Sequence, residues 1–447
     1  MNSKRHNFAN FFIIEIQKMN FIEELRWRGM LHDMMPGTEE LLSKGMIKGY
    51  IGFDPTADSL GVGNLVQIMT LMHFQKAGHK PIALVGGATG MVGDPSGKSA
   101  ERNLLDEDAL QHNLASQRKQ LEKFLDFNCG ENAAEIVNNY DWFKEISFLD
   151  FIRDVGKYIT VNYMMSKDSV KKRLEGETGM SFTEFSYQLV QGFDFYWLWK
   201  NRDIQLQMGG SDQWGNIVTG TELIGRKGQG KAYALTTPLI KKADGTKFGK
   251  TEGGNIWLDA RRTSPYQFYQ FWLNSSDADV SNYIRIFSMK NREEIEAIEA
   301  QHSPEPHLRL LQKSLAEEIT VRVHSQTDFE AVTGTLDILF NKAKKEIAPL
   351  TEADFEVVTK GIGYDNLKIL DKNLLVEGIG VLDLIGRLTS ILPSNSEVRN
   401  GIKNKALAIN KAKIADDRAT IKTDALVFGK YLLIEKGKQD KFLICFE

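Results

Sequence analysis

Cysteine is nearly absent from this chain: Cys129 and Cys445 are the two among 447 residues. They lie far apart and have no metal-ligand spacing, so a reduced, cytoplasmic compartment is the simplest setting. No stretch approaches the roughly eighteen unbroken apolar residues that span a bilayer, which excludes a helical membrane protein and leaves no membrane partner. Internal repeats and low-complexity tracts are missing too. No G-x-G-x-x-G follows a strand, which argues against a dinucleotide-dependent oxidoreductase. Gly93-Asp-Pro-Ser-Gly97-Lys98-Ser99 looks like a P-loop, but that loop needs a glycine where Val92 stands. The eight histidines show no zinc-type pairing with cysteines or with one another, so no metal ligand is assigned.

Charge imbalance is also small: 56 Lys or Arg against 59 Asp or Glu leave a net formal charge of −3. Its distribution says more. From Gly380 to Glu447 there are twelve Lys or Arg against eight Asp or Glu, so a basic tail follows an acidic body. That pattern suits a polyanionic partner and equally suits a solvated surface.

What is present is ordinary for a globular protein of two or three domains: 42% apolar and 26% charged residues. Residues 1–18 read as a disordered extension, because Glu15 and Lys18 break the apolar run before it becomes a signal sequence. Lys48 to Phe53 reads as a strand, Asn64 to Ala77 as a helix closed by Gly78, and Pro81 to Val85 as a buried strand entering the turn Gly86-Gly-Ala-Thr-Gly90. Strand, helix, strand over so short a span is a βαβ unit and predicts a parallel sheet. A later strand, Ile204 to Met208, runs into Gly209-Gly210 ahead of a helix from Gln213 to Ile224. Ligands in such sheets sit beyond the carboxyl ends of the strands, where these glycines fall.

The remainder divides by pattern. Residues 264–340 read as a helical domain, 341–379 as a linker with a flexible Gly361-Ile-Gly363, and 380–447 as a small α+β module. Its predicted elements are a helix over Val381–Leu392 and strands at Ala406–Asn410, Ala425–Phe428 and Lys441–Cys445. The expected fold class is therefore α/β: a Rossmann-like parallel-sheet domain over 19–263, the helical domain, and the small module.

Two distant segments carry the chemistry. Within Tyr50-Ile-Gly-Phe-Asp-Pro-Thr-Ala-Asp-Ser-Leu-Gly-Val-Gly-Asn-Leu65, Pro55 to Asn64 has the layout of the His-Ile-Gly-His signature of class I aminoacyl-tRNA synthetases, and Lys247-Phe-Gly-Lys-Thr251 resembles their Lys-Met-Ser-Lys-Ser loop. Gly86 to Gly97, Ser181 to Tyr187 with Gln191 and Asp194, and Gly209-Gly-Ser-Asp-Gln-Trp-Gly-Asn216 are similar to bacterial tyrosyl-tRNA synthetases. The likeness is strong from about Met19 to Leu273 and weaker beyond, where the last module resembles an S4-type RNA-binding domain.

The resemblance implies attack of a tyrosine carboxylate on the α-phosphorus of ATP, then transfer of the tyrosyl group to tRNA(Tyr). It implies Thr56, Lys247, Lys250 and Thr251 around the β- and γ-phosphates, with Mg²⁺ accompanying them. Tyr50 and Asp194 match the positions that recognise the phenol; Tyr187, Gln191 and Asp94 match those that hold the α-amino group. Gln213 lies near the substrate carboxylate. Gly52, Asp54, Gly210 and Asp212 lie near the adenylate, Asp212 having a helix N-cap as its alternative. The resemblance also implies a homodimer built on the catalytic domain, and tRNA contacts from Arg399, Lys403, Lys405, Lys411 and Lys413. Independently of any family, Tyr187, Gln191 and Asp194 stand at i, i+4 and i+7, one face of a helix.

One departure is conspicuous. Gly61 and Asn64 occupy the places of the two signature histidines. An asparagine amide still donates a hydrogen bond; glycine offers no side-chain donor. Adenylation is expected to be impaired. A second reading is a non-catalytic RNA-binding or regulatory protein on the same scaffold, and a third a tryptophan-specific relative. The retained lysines argue against the second, and the Tyr50 and Asp194 pair against the third.

Overall fold

The computed structural model describes residues 19–94, 106–175, 179–251, 254–340, 350–437 and 440–447. The residues read as an N-terminal extension, the end of the glycine-rich segment at 95–97 and the start of the expected linker lie outside these. The chain divides into two compact units, one of residues up to 56, 67–114 and 125–239, the other of 57–66, 115–124 and 240 onward.

The first unit is built on a six-stranded sheet. Its strands are β1 (Asp33–Met34), β2 (Lys48–Phe53), β3 (Lys80–Val85), β4 (Glu135–Asn138), β5 (Leu206–Gly210) and β6 (Tyr233–Thr237), in the order β1-β6-β5-β2-β3-β4. All pairs are parallel except β1 with β6. The helix predicted after β2 is α1 (Leu65–Lys76), followed by Gly78 at φ 85°. From β2 the chain winds outward through β3 and β4, whereas β5 returns to the other side of β2 and continues to β6. The two directions part between β2 and β5, so the crevice of this fold opens at their carboxyl ends. Gly52 is exposed there within an otherwise mostly buried central strand, and Gly209 and Gly210 end β5.

Strand β5 begins and ends two residues later than its apolar run suggests, because pairing with β6 from Leu206↔Tyr233 to Gly210↔Thr237 carries the ladder through both glycines. Helix α2 (Phe182–Arg202) starts at the Ser181 cap, whose hydroxyl accepts from the Glu184 amide, and stops at Asp203 in the left-handed region. It packs against α3 (Trp214–Leu223). Phe193, Phe195 and Leu198 of α2 are buried with Tyr50, Ile82 and Leu84 of the sheet.

In the second unit, β7 (Lys250–Thr251) and β8 (Gly254–Asn255) form a small antiparallel pair. The helical stretch predicted from 264 comprises α4 (Pro265–Leu273), α5 (Asp277–Phe287), α6 (Arg292–His302), α7 (Leu310–Val323) and α8 (Gln326–Phe340).

The linker reading is corrected by the elements beyond α8. Helix α9 (Glu352–Gly361) packs on α8, and β9 (Leu367–Leu370) joins the C-terminal sheet. Gly361 is a packing glycine rather than a hinge: a Cβ there would fall 2.2 Å from the Ala331 carbonyl oxygen.

The small module is α+β, as expected. A short pair of β10 (Ile379–Gly380) with β13 (Thr420–Ile421) accompanies a five-stranded sheet of β11 (Leu407–Ile409), β12 (Ala412–Lys413), β14 (Tyr431–Lys436) and β15 (Asp440–Phe446) with β9 on its edge. Residues 425–428 are not the predicted strand. They form the corner before β14, with Val427 bridged to Tyr431 and Phe428 at φ 52°. Helix α10 (Asn395–Lys403) buries Val398 and Ile402 against Leu384, Leu432 and Ile444. The helix predicted over Val381–Leu392 ends early, at Leu388.

Candidate active site

The tyrosine-pocket residues named from sequence all belong to the first unit. Tyr187 and Asp194 are buried on α2, and Gln191 is half-buried between them. The Tyr187 hydroxyl donates to Asp54 Oδ2 at 2.8 Å, and the Thr89 hydroxyl donates to Asp54 Oδ1 at 2.8 Å. Asp54, expected near the adenylate, thus also fixes the Tyr187 ring. Burial pushes the Tyr187 phenol well above its ordinary range, with Asp54, Asp94 and Asp194 adding to the rise. Asp54 and Asp94 beside that neutral hydroxyl favour a cation, while the hydroxyl oxygen keeps lone pairs for an N–H donor.

Deeper in, Asp194 Oδ2 accepts from Asn139 Nδ2 at 3.0 Å and Oδ1 from Trp142 Nε1 at 2.9 Å. Burial raises the Asp194 carboxyl to about 8; those two hydrogen bonds oppose the rise and Asp54 adds to it. Tyr50, 1% exposed, lies edge-on to Phe195 with ring centroids 5.5 Å apart. Its hydroxyl and Gln191 Oε1 are buried with no hydrogen-bond partner among the described residues. A buried polar atom left unpaired costs about 1–3 kcal/mol, which a ligand bonding these two atoms would recover.

At the start of α3, Gln213 Nε2 donates to Asp94 Oδ2 at 2.7 Å and to Asp212 Oδ2 at 3.3 Å, while Asn216 Nδ2 reaches Gln213 Oε1 at 3.2 Å. The alternative for Asp212 fails: the N-cap of α3 is Gln213, and that of the short turn before it is Gly210. Thr56 is exposed just past β2, its amide bonded to the Asp54 carbonyl at 2.9 Å.

Sequence reasoning missed Thr89, Asn139, Trp142, Asn216 and Gln207. Thr89 and Asn216 lie inside segments already singled out. Asn139 and Trp142 follow β4 with no local signal. Gln207 is the register partner of Tyr50 on β5 and holds another unpartnered buried oxygen.

The other candidates form a separate group in the second unit. Gly61 has extended backbone, φ −94° and ψ 169°, and its amide donates to Asn64 Oδ1 at 3.0 Å. With that oxygen engaged, the Asn64 amide nitrogen is the atom left to donate outward. Gly61 bridges Trp257, and the Val62 amide donates to the Ile256 carbonyl at 3.0 Å. The Ile256 amide in turn donates to the Gly249 carbonyl at 3.0 Å. The backbone of one residue, Ile256, therefore ties the turn at 61–64 to the loop at 247–251. Gly249 is obligatory on two counts, a φ of 78° and a Cβ position only 2.7 Å from Val62 Cγ2. Lys247 and Lys250 are exposed on either side of buried Phe248 and Gly249, and Thr251 pairs through β7 with Gly254.

The first unit thus offers a parallel sheet with its crevice at the switch point and an acidic pocket with an unpaired phenol; the second offers two exposed lysines about Gly249; each is a feature of one class of catalyst. Residues 42–341 match the family model for tRNA synthetases class I (W and Y), and residues 373–444 match that for the tyrosine–tRNA ligase SYY-like C-terminal domain. A tyrosine–tRNA ligase from Porphyromonas gingivalis strain W83 is 58% identical over 433 residues, 96% of this chain and 100% of that one. One from Cytophaga hutchinsonii is 58% identical over 430 residues, 96% of this chain and 99% of its own. Among solved structures, a C-terminally truncated mitochondrial tyrosyl-tRNA synthetase from Aspergillus nidulans superposes with a TM-score of 0.65 at 32% identity, covering 73% of this chain and 96% of that one. The chain belongs to the tyrosine–tRNA ligases, class I enzymes that activate tyrosine with ATP and charge tRNA.

Proposed function

We propose this division of labour for tyrosine–tRNA ligation in the chain. Asp54, Asp94 and Tyr187, with Gln191, receive the substrate ammonium; Tyr50 and Asp194 receive its phenol; Gln213 lies by its carboxylate. The observation that carries this is the Asp54 carboxylate bonded to the Tyr187 hydroxyl in the same unit as the buried, unpartnered hydroxyl of Tyr50. Replacing Tyr187 by Phe is expected to raise KM for tyrosine by about 10-fold, the loss of one charge-assisted hydrogen bond, with kcat changed less. Tyrosine-dependent exchange of labelled pyrophosphate into ATP measures both. Exchange driven equally by tryptophan would overturn the assignment of the phenol end.

The nucleophile, a carboxylate, is already an anion, so the step needs positioning and charge stabilisation rather than a base. ATP enters as its Mg²⁺ complex. Gly52, Gly210 and Asp212 accommodate the adenylate, while Thr56, Lys247, Lys250 and Thr251 neutralise the departing pyrophosphate. Gly61 supplies nothing to that charge, and Asn64 supplies one amide. Adenylation is slow for that reason while both substrates still bind.

The C-terminal module, read as S4-like, engages tRNA(Tyr) through the exposed Arg399, Lys403, Lys405 and Lys413 together with Lys411. Changing Lys403 and Lys405 together to Glu is expected to lower kcat/KM for tRNA charging by at least 10-fold and to leave pyrophosphate exchange as it was. The enzyme works as a cytoplasmic homodimer through the first unit, which exposes Phe148, Leu149, Ile152, Val161 and Phe182.

A further inference from the structure

We propose that Phe248 and Asp279 are positioning residues that seat the phosphate loop on α5, so that an aromatic socket, added to the loop's backbone ties, places the two loop lysines. This rests on the phosphate-binding reading of Lys247 and Lys250. The Phe248 ring, 5% exposed, stacks on Phe287 with centroids 5.4 Å apart and planes 17° from parallel. It meets Tyr283 edge-on at 5.0 Å, and Phe271 and Trp272 of α4 at 5.7 and 5.9 Å. Tyr283 and Phe287 are one turn apart on α5, so a single helix face forms the floor of the socket.

A second tether lies at the base of the loop. The Ala243 amide donates to Asp279 Oδ1 at 2.7 Å, and the other carboxylate oxygen accepts from the Ser276 hydroxyl at 2.6 Å. Ser276 caps α5, so Asp279 is held in place by the helix it belongs to. Between the tethers the hairpin turns at Asp244–Gly245, with Lys241 bridged to Lys247 and the Lys242 amide bonded to the Thr246 carbonyl at 3.0 Å. Lys247 and Lys250 then emerge on either side of the one buried ring.

This geometry has a kinetic consequence. An ammonium that stabilises charge only as pyrophosphate departs loses its effect when displaced by about 1 Å, a displacement that costs on the order of 10²-fold. A ground-state contact would lose little. Removing the anchor should therefore act on kcat and act through the lysines.

The test is a double-mutant cycle on the full chain, read by pyrophosphate exchange corrected for the folded fraction. Phe248→Ala is expected to lower kcat about 10²-fold with KM for ATP within about 3-fold. In a Lys247→Ala/Lys250→Ala background the same change is expected to cost less than about 2-fold. Asp279→Ala, in a less central position, is expected to lower kcat about 10-fold with the same dependence on the lysines, and it supplies the result if Phe248→Ala does not fold. Equal losses in both backgrounds would make Phe248 a core residue and overturn the proposal. If instead removing both lysines leaves exchange untouched, the phosphate-binding reading itself fails, and the proposal falls with it by a distinguishable route.

Discussion

Gly61→His is expected to raise kcat for tyrosine-dependent pyrophosphate exchange by about 10²–10³-fold while moving KM for tyrosine and for ATP by less than about 3-fold. The asymmetry follows from when the contact forms. A donor aimed at oxygens that gain charge only as the bond to the α-phosphorus breaks lowers the barrier without tightening the ground state, and on the order of 3 kcal/mol is what such a donor supplies. The local structure accepts the change. The backbone at 61 is extended and open to any residue, and the added Cβ would lie 3.3 Å from the Ile256 carbonyl oxygen and 4.0 Å from Asn64 Oδ1. A shift of a few tenths of an ångström at Ile256 accommodates it. Losing a glycine in an allowed conformation stabilises by about 0.4–1 kcal/mol, which offsets that adjustment, so the melting temperature should hardly move. Equal rates in the two proteins would mean that another group serves the pyrophosphate here. The Asn64 amide would then be the first to remove.

The sequence disclosed this site unevenly, for physical reasons. Strand β2, helix α1 and strand β3 carry periodic apolar patterns over short spans, so local reading finds them. The i, i+4, i+7 spacing of Tyr187, Gln191 and Asp194 likewise announces one helix face, and α2 presents it. Residues that hold those groups were invisible. Asn139 and Trp142 bond Asp194 across more than fifty positions, and nothing local marks either. The same holds for β9, whose place depends on a parallel register with β15 beginning at Leu367↔Leu443. A strand defined by a distant partner reads as linker until that partner is known. At 425–428 the error had another source: an apolar run of the right length is interrupted by Phe428 in a left-handed conformation, which propensity does not foresee. The acidic character of the pocket emerged only once Asp54 and Asp94 were brought beside a single hydroxyl.

Asp194→Asn is expected to have the second large effect, on selectivity and on the pH dependence of stability together. A buried pocket built to bond a phenol rejects the analogue lacking it by roughly 10⁴–10⁵, a figure that belongs to tyrosyl-tRNA synthetases as a class and owes nothing to the geometry of this pocket. Asparagine offers one carbonyl oxygen where the carboxyl offers two, yet Asn139 and Trp142 both donate there. The phenol then competes for what remains, and tyrosine-over-phenylalanine discrimination in exchange should fall by about 10²-fold or more. Stability should shift in a direction fixed by the carboxyl's raised value. The Asp194 carboxyl titrates at about 8 in the fold because burial disfavours its charge, against about 3.9 in an unfolded chain. Between those limits the folded state binds the extra proton, so this group's contribution is whole at acid pH and declines as pH rises, by at most about 1.4 kcal/mol per unit. Asparagine has no such slope. At pH 5 the variant should melt below the parent, since one indole or amide donor is left unpaired; by pH 9 the gap should narrow or reverse. A melting difference that stays constant from pH 5 to 9 would show that Asp194 is ionised throughout, held as a carboxylate by Asn139 and Trp142. The phenol would then meet a charged acceptor at every physiological pH.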